Sequence, residues 1–125
     1  MTREEMIARI DLVADTVRDR FVISPTRAWE YKQAEIEATQ FAKYGYLGNV
    51  PPMVAVWVEA SGMSPTDAAN DIIAAALRFN AALAEIRKTR LVGKTKVVKA
   101  TTDSLAEEEF SLAISKLKIL QNLAD

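Results

Sequence analysis

The sequence predicts an all-α fold, a single-domain bundle of about five helices whose C-terminal helix is free to protrude. Three observations carry this. Apolar residues recur at three- and four-residue steps through most of the chain. Cap-type residues and prolines stand where each stripe restarts. No segment reads as a convincing strand.

The first helix is expected over Arg3–Phe21. Thr2 and Glu5 have capping-box spacing, and Met6, Ile10, Val13, Val17 and Phe21 form one stripe. Glu5–Arg9 and Asp15–Arg18 are helix-spaced ion pairs on the polar side. Ser24-Pro25, a cap followed by a residue suited to the first helical position, opens a second helix reaching about Tyr44. Its buried side is read as Tyr31, Ala34, Ala38, Phe41 and Ala42. Five of the nine aromatic residues (Trp29, Tyr31, Phe41, Tyr44 and Tyr46) cluster here. Such residues can form a stacking platform for bases or sugars, but aromatics at helical spacing favour the core reading.

Gly45, Gly48 and Asn49 make a loop closed by Pro51-Pro52, from which a short third helix runs to about Ala60 with Val54, Trp57 and Val58. Gly62 ends it as a left-handed cap. Ser64-Pro65-Thr66-Asp67 opens the longest helix, about Pro65–Leu91, with Ala69, Ile72, Ala76, Phe79, Leu83 and Ile86 on one face. Trp57 and Phe79 are expected in the shared core of the third and fourth helices. The alanines at 68, 69, 74, 75, 76, 81, 82 and 84 permit close helix approach. Gly93 is read as the helix end. The chain then divides into a helical bundle at 1–93, a basic connector at 94–103 in which Val97-Val98 is extended, and an amphipathic helix at 104–125 capped by Asp103 or Ser104.

Composition narrows the function. There is no cysteine and no histidine, which removes thiol nucleophiles, disulfides, the commonest general base and the favoured zinc ligands. No glycine-rich phosphate cradle is present. No catalytic, cofactor-binding or metal-binding residues are assigned, no cofactor is expected, and the chain is not read as an enzyme. A formal net charge of −1 provides no global field for nucleic acid or anionic membrane. Charges recur from Met1 to Arg20, so no signal-peptide core is expected, and the longest apolar run, Ile72–Leu77, is far short of the roughly 20 residues of a membrane span.

Several constellations have two readings. Glu59–Ala69 has the outline of a helix-turn-helix, but Asp67 and Asp71 at the start of its second helix would oppose a polyanion, so no specific nucleic-acid binding is expected. Arg87, Lys88, Arg90, Lys94, Lys96 and Lys99 make either a phosphate- or partner-binding strip or a favourable set of cations at a helix C-terminus. The second reading is preferred. Lys32, Glu35 and Glu37 resemble an acid–base group, yet Lys32 and Glu35 one turn apart read first as an intrahelical ion pair.

The last helix carries two apolar stripes. At about 100° per residue, Leu105, Leu112, Ile119 and Leu123 form one. Ala106, Phe110, Ala113, Leu117, Leu120 and Ala124 form another roughly 125° away, with Glu109 and Lys116 between them. Either the helix is central and buries both, or one stripe docks on a partner. The second reading makes Leu105, Phe110, Leu112, Leu117, Ile119, Leu120 and Leu123 the candidate protein interface. On that reading, a chain ending at Gly93 would remain folded.

Tyr31-Lys32-Gln33-Ala34-Glu35-Ile36-Glu37-Ala38-Thr39-Gln40-Phe41 is similar to a tyrosine–lysine–glutamate–alanine–aromatic helix of small tail-fibre and tail-associated proteins of tailed bacteriophages. The likeness continues in order through Gly45-Tyr46, Val50-Pro51-Pro52, Trp57, Gly62-Met63-Ser64, Ala68-Ala69, Ile72-Ile73, Ala84-Glu85-Ile86-Arg87 and Leu91-Val92-Gly93-Lys94, covering about residues 20–100. Glu37-Ala38 comes after Ile36, which shifts the register to Lys32, and the last helix has no counterpart. The resemblance implies a non-enzymatic structural or assembly component of the virion tail, at the fibre or baseplate, assembled in the host cytoplasm. Its partners would be other tail proteins or copies of itself, with no membrane. A tail assembly chaperone absent from the mature particle and a small DNA-binding regulator are the alternatives.

Overall fold

The computed structural model describes residues 1–22 and 24–124. They form α1 (Arg3–Phe21), α2 (Pro25–Lys43), α3 (Pro52–Ser61), α4 (Pro65–Lys99) and α5 (Asp103–Ala124), with no strand among the described residues. The protein is all-α. It divides into two compact units: Met1–Val22 with Ala81–Asp125, and Ile23–Asn80. The first part of α4 belongs to the second of these and the remainder to the first.

The unit of α1, residues 81–99 of α4, and α5 has one continuous core. From α1 come Met6, Ile10, Ala14 and Val17, from α4 Ile86 and Val97, and from α5 Ala106, Ala113 and Leu117. Val13 and Phe21 pack on its margin, so all five residues of the α1 stripe face inward. Thr2 Oγ1 accepts a hydrogen bond from the Glu5 amide at 3.1 Å, satisfying one of the otherwise unpaired first-turn donors. Of the two expected α1 ion pairs, Asp15–Arg18 closes at 3.3 Å.

The division at Gly93 is overturned. α4 continues through Gly93 to Lys99, so Lys94–Lys99 is helix rather than connector and Val97-Val98 is not extended. The physical reason lies in α5. A Cβ at Gly93 would stand 2.7 Å from the Ala113 Cβ, a separation that van der Waals repulsion forbids. Gly93 thus lets two helices approach, and its inward face continues the series Ile86, Thr89, Gly93 and Val97, all buried. Burial and packing offset the helix-propensity cost of glycine, about 1 kcal/mol. The α4–α5 link is short, and Thr102, not Asp103 or Ser104, supplies the α5 cap: its Oγ1 accepts from the Leu105 amide at 3.1 Å.

Two polar ties join distant segments of this unit. The Arg3 guanidinium donates to the carbonyls of Val97, Val98 and Ala100 at 3.2, 3.2 and 2.7 Å and lies 3.3 Å from Asp103 Oδ1. A cation therefore sits at the negative end of α4, supplied by α1. Asp11 of α1 accepts from Lys94 Nζ at 2.8 Å and from Arg90 Nη1 at 3.2 Å. Two of the six cations are accordingly held in mid-helix by an acid rather than gathered at a helix end.

The hydrogen bond from Lys94, reinforced by Arg90, outweighs desolvation and lowers the Asp11 pKa below its ordinary value. A lowered folded-state pKa contributes stability above the ordinary carboxylate range and loses it as pH falls through the folded value. Asp11→Asn should cost about 1 kcal/mol at neutral pH, discounted for partial exposure. The difference from the parent should shrink as pH falls below the carboxylate range. Urea denaturation of both chains across that range is the check, and a pH-independent difference would assign Asp11 a packing role instead.

In the other unit, Ala38, Phe41, Val54, Ala68 and Ala69 form a smaller core. The α2 C-terminus closes with a Schellman motif. The Tyr46 amide donates to the Phe41 carbonyl and the Gly45 amide to that of Ala42, with Gly45 and Tyr46 at φ 72° and 60°. The Tyr46 ring meets Phe41 edge-on at 5.7 Å, and its hydroxyl donates to Asn70 Oδ1 at 2.6 Å. This contact offsets the strain of a left-handed non-glycine residue. Gly62 is left-handed as expected, at φ 75°, and Ser64 caps α4 through the Asp67 amide at 3.1 Å. Pro51 offers no side-chain cap to α3; instead Glu37 of α2 accepts from the Met53 amide at 3.0 Å.

The expectation that the aromatic cluster is core fails for most of its members. Phe41 is buried and Tyr46 partly so, but Trp29, Tyr31 and Tyr44 are exposed, and Ala34 and Ala42 are only half-buried. A core built mainly from alanines against Phe41 and Val54 has no space for three more rings. Of the alanines on α4, Ala68 and Ala69 meet the expectation of close packing, while those at 75, 81 and 84 are exposed.

Candidate functional site

The two stripes of α5 have opposite fates. Ala106, Ala113 and Leu117 are buried against α1 and α4, with Phe110 and Leu120 packed at the edge of the same core. Leu117 is therefore internal, Phe110 and Leu120 are partly buried against the same core, and the three leave the candidate interface. The other stripe faces outward, with Leu105 37%, Leu112 47%, Ile119 64% and Leu123 71% exposed. α1 and α4 approach α5 from its alanine-rich face, where small side chains let the backbones come close. That approach leaves the all-leucine and isoleucine face without cover.

Glu109 and Lys116 flank the outward stripe on the side towards α4. They help line a shallow cleft of about 140 Å³ with Lys88, Val92, Lys96 and Leu112. Neither makes an ion pair within 4 Å among the described residues. A surface with an apolar centre and charged flanks has the chemistry of a protein contact.

A second concave surface lies within the Ile23–Asn80 unit. Tyr31, Trp57, Ile72, Ala76 and Phe79 line a groove of about 500 Å³. This corrects the placement of Trp57 and Phe79 in a closed core. Trp57 is 38% exposed and Phe79 half-buried, and the Trp57 Nε1 donates to Asp71 Oδ2 at 2.9 Å. At the groove's rim the expected Lys32–Glu35 pair forms at 3.5 Å, and Asn80 Nδ2 donates to Glu35 Oε1 at 3.2 Å. Glu37 accepts from Gln33 Nε2 as well as from the α3 amide, so its carboxylate serves to hold helices. Asp67 and Asp71 stand on the first turns of α4, with Asp71 engaged by Trp57.

No group of carboxylates spaced to hold a metal ion occurs among the described residues, and no helix there is long and apolar enough to cross a membrane. In comparisons with known proteins, no family model, no curated protein and no solved structure matches the chain.

The sequence showed both α5 stripes but not their assignment. It missed the groove because the spacing that builds it is also the spacing of a helix core. Arg3 and Glu37 carry no local sign of their capping roles, since the amides and carbonyls they satisfy lie on other helices.

Proposed function

We propose that this chain is a non-enzymatic structural or assembly component of a phage tail, acting through protein–protein contacts made by the outward stripe of α5. The observation that supports a contact role is that stripe. Four large aliphatic side chains stand in solvent on a helix whose opposite face is already committed to a core. Removing such side chains from water contributes about 1.5–3 kcal/mol each when burial is complete. The tail assignment rests on the resemblance of residues 20–100 to tail-associated helical proteins, and the contact role does not depend on it.

The test is made in the phage. Leu112→Asp with Ile119→Asp should leave the purified chain helical and close to its parent melting temperature, because neither side chain belongs to the core. The parent should be found by mass spectrometry in purified particles or isolated tails, and the variant should be lost from them. Parent chain present in lysates but absent from particles would favour the assembly-chaperone role. Normal incorporation of the variant would remove the stripe from consideration.

A further inference from the structure

We infer that the partner on the α5 stripe is a second copy of the same helix, lying antiparallel across a two-fold axis at Leu112. The inference rests on the stripe being a contact surface and adds the identity and direction of its occupant. Leu105, Leu112 and Ile119 are each seven residues apart, so these three are symmetric about Leu112, and Leu123 lies beyond the paired segment. An interface related by a two-fold axis must be self-complementary. Antiparallel pairing meets that requirement, with Leu105 against Ile119 of the second copy and Leu112 against itself.

The charges select the direction. Glu109 and Lys116 lie on one flank of the stripe, both lining the cleft towards α4. They are two turns apart, about 10.5 Å along the axis, too far to pair with each other. A two-fold axis perpendicular to the helices reverses their direction but keeps each flank on its own side. With Leu112 against itself, facing residue numbers sum to 224, so Glu109 comes within one residue, about 1.5 Å, of the level of Lys116 of the second copy, and Lys116 likewise of its Glu109. Two ion pairs form from groups that have none among the described residues. A parallel pair would join opposite flanks, bringing Glu109 level with Glu108 of the copy and leaving Lys116 beside Ser115. Like charges at the rim oppose that arrangement.

One helix pair buries an area at the low end for specific interfaces, so the association is reversible and concentration-dependent. Sedimentation equilibrium of the full chain at low ionic strength should show the mass rising from one chain towards two as concentration increases. Leu112→Asp places two carboxylates on the axis and should abolish this, and Ile119→Asp provides an independent second disruption. Glu109→Lys converts both ion pairs into repulsions and should weaken association roughly tenfold. Adding Lys116→Glu should restore it, because the exchanged charges meet again. Circular dichroism confirms that each variant remains folded.

A full chain that stays monomeric at every concentration overturns the proposal, and so does a charge exchange that fails to rescue a Glu109→Lys loss. The two readings remain separable. A monomeric parent whose Leu112→Asp variant is still lost from particles refutes self-pairing and leaves the contact role standing. A parent that pairs as expected, with the variant incorporated normally, does the reverse.

Discussion

A chain ending at Gly93 is expected to lose the fold of the unit built on α1. The cut removes Val97, Ala106, Ala113 and Leu117 from the core, and leaves Met6, Ile10, Ala14 and Val17 with only Ile86 and Leu83 of α4 to cover them. It also removes Lys94 from Asp11 and the four acceptors of Arg3. Each large side chain fully buried in that core contributes about 1.5–3 kcal/mol, so the sum reaches the ~5–15 kcal/mol net stability of a whole domain. The truncated chain should show loss of helical signal greater than the deleted residues account for, together with fast amide exchange throughout α1. Protected α1 amides in the truncated chain would show that α5 is dispensable after all. This expectation reverses the sequence-based reading of α5 as an appendage to a finished bundle.

The next largest effect is expected at Gly93. Gly93→Ala gains about 1 kcal/mol of helix propensity but places a methyl 2.7 Å from the Ala113 Cβ. That neighbour is bonded directly to backbone and cannot rotate away, so one of the two helices must shift. Overpacking of this kind costs about 1–3 kcal/mol, and the net change should be destabilising. Gly93→Leu should cost several times more. The decisive measurement is a pair of urea curves. Ala113→Gly alone should destabilise, whereas in the Gly93→Ala background it should recover part of the loss by removing the opposing methyl. A Gly93→Ala chain more stable than the parent would overturn the close approach of α4 and α5 at this position.

How far the fold was legible follows from where each determinant lies in the chain. The bounds of α1, the Thr2 and Ser24 caps, the Gly62 turn and the Ser64 start of α4 all depend on residues within about one helical turn. Their signals are therefore local, and the sequence carries them directly. Gly93 looked like a stop because glycine near a basic stretch commonly ends helices, and its neighbour Ala113 is distant in sequence. Trp57, Phe79 and Tyr31 have the spacing of a buried stripe, yet they line an open groove because no element of their own unit closes over them.

The interface residues make the same distinction. Periodicity alone separated α5 into two stripes, since that requires only the helical repeat. Which stripe is internal depended on α1, whose Ile10 and Val17 share a core with Leu117 from the far end of the chain. The sequence by itself determined the helical class, most helix starts and the existence of both stripes, because capping and periodicity are set over a few residues. Only the tertiary structure decided the continuation of α4 through Gly93, the inward stripe of α5 and the capping roles of Arg3 and Glu37. Those outcomes depend on which distant backbones can approach closely and which polar groups they leave to be satisfied, and neither is encoded within a single turn.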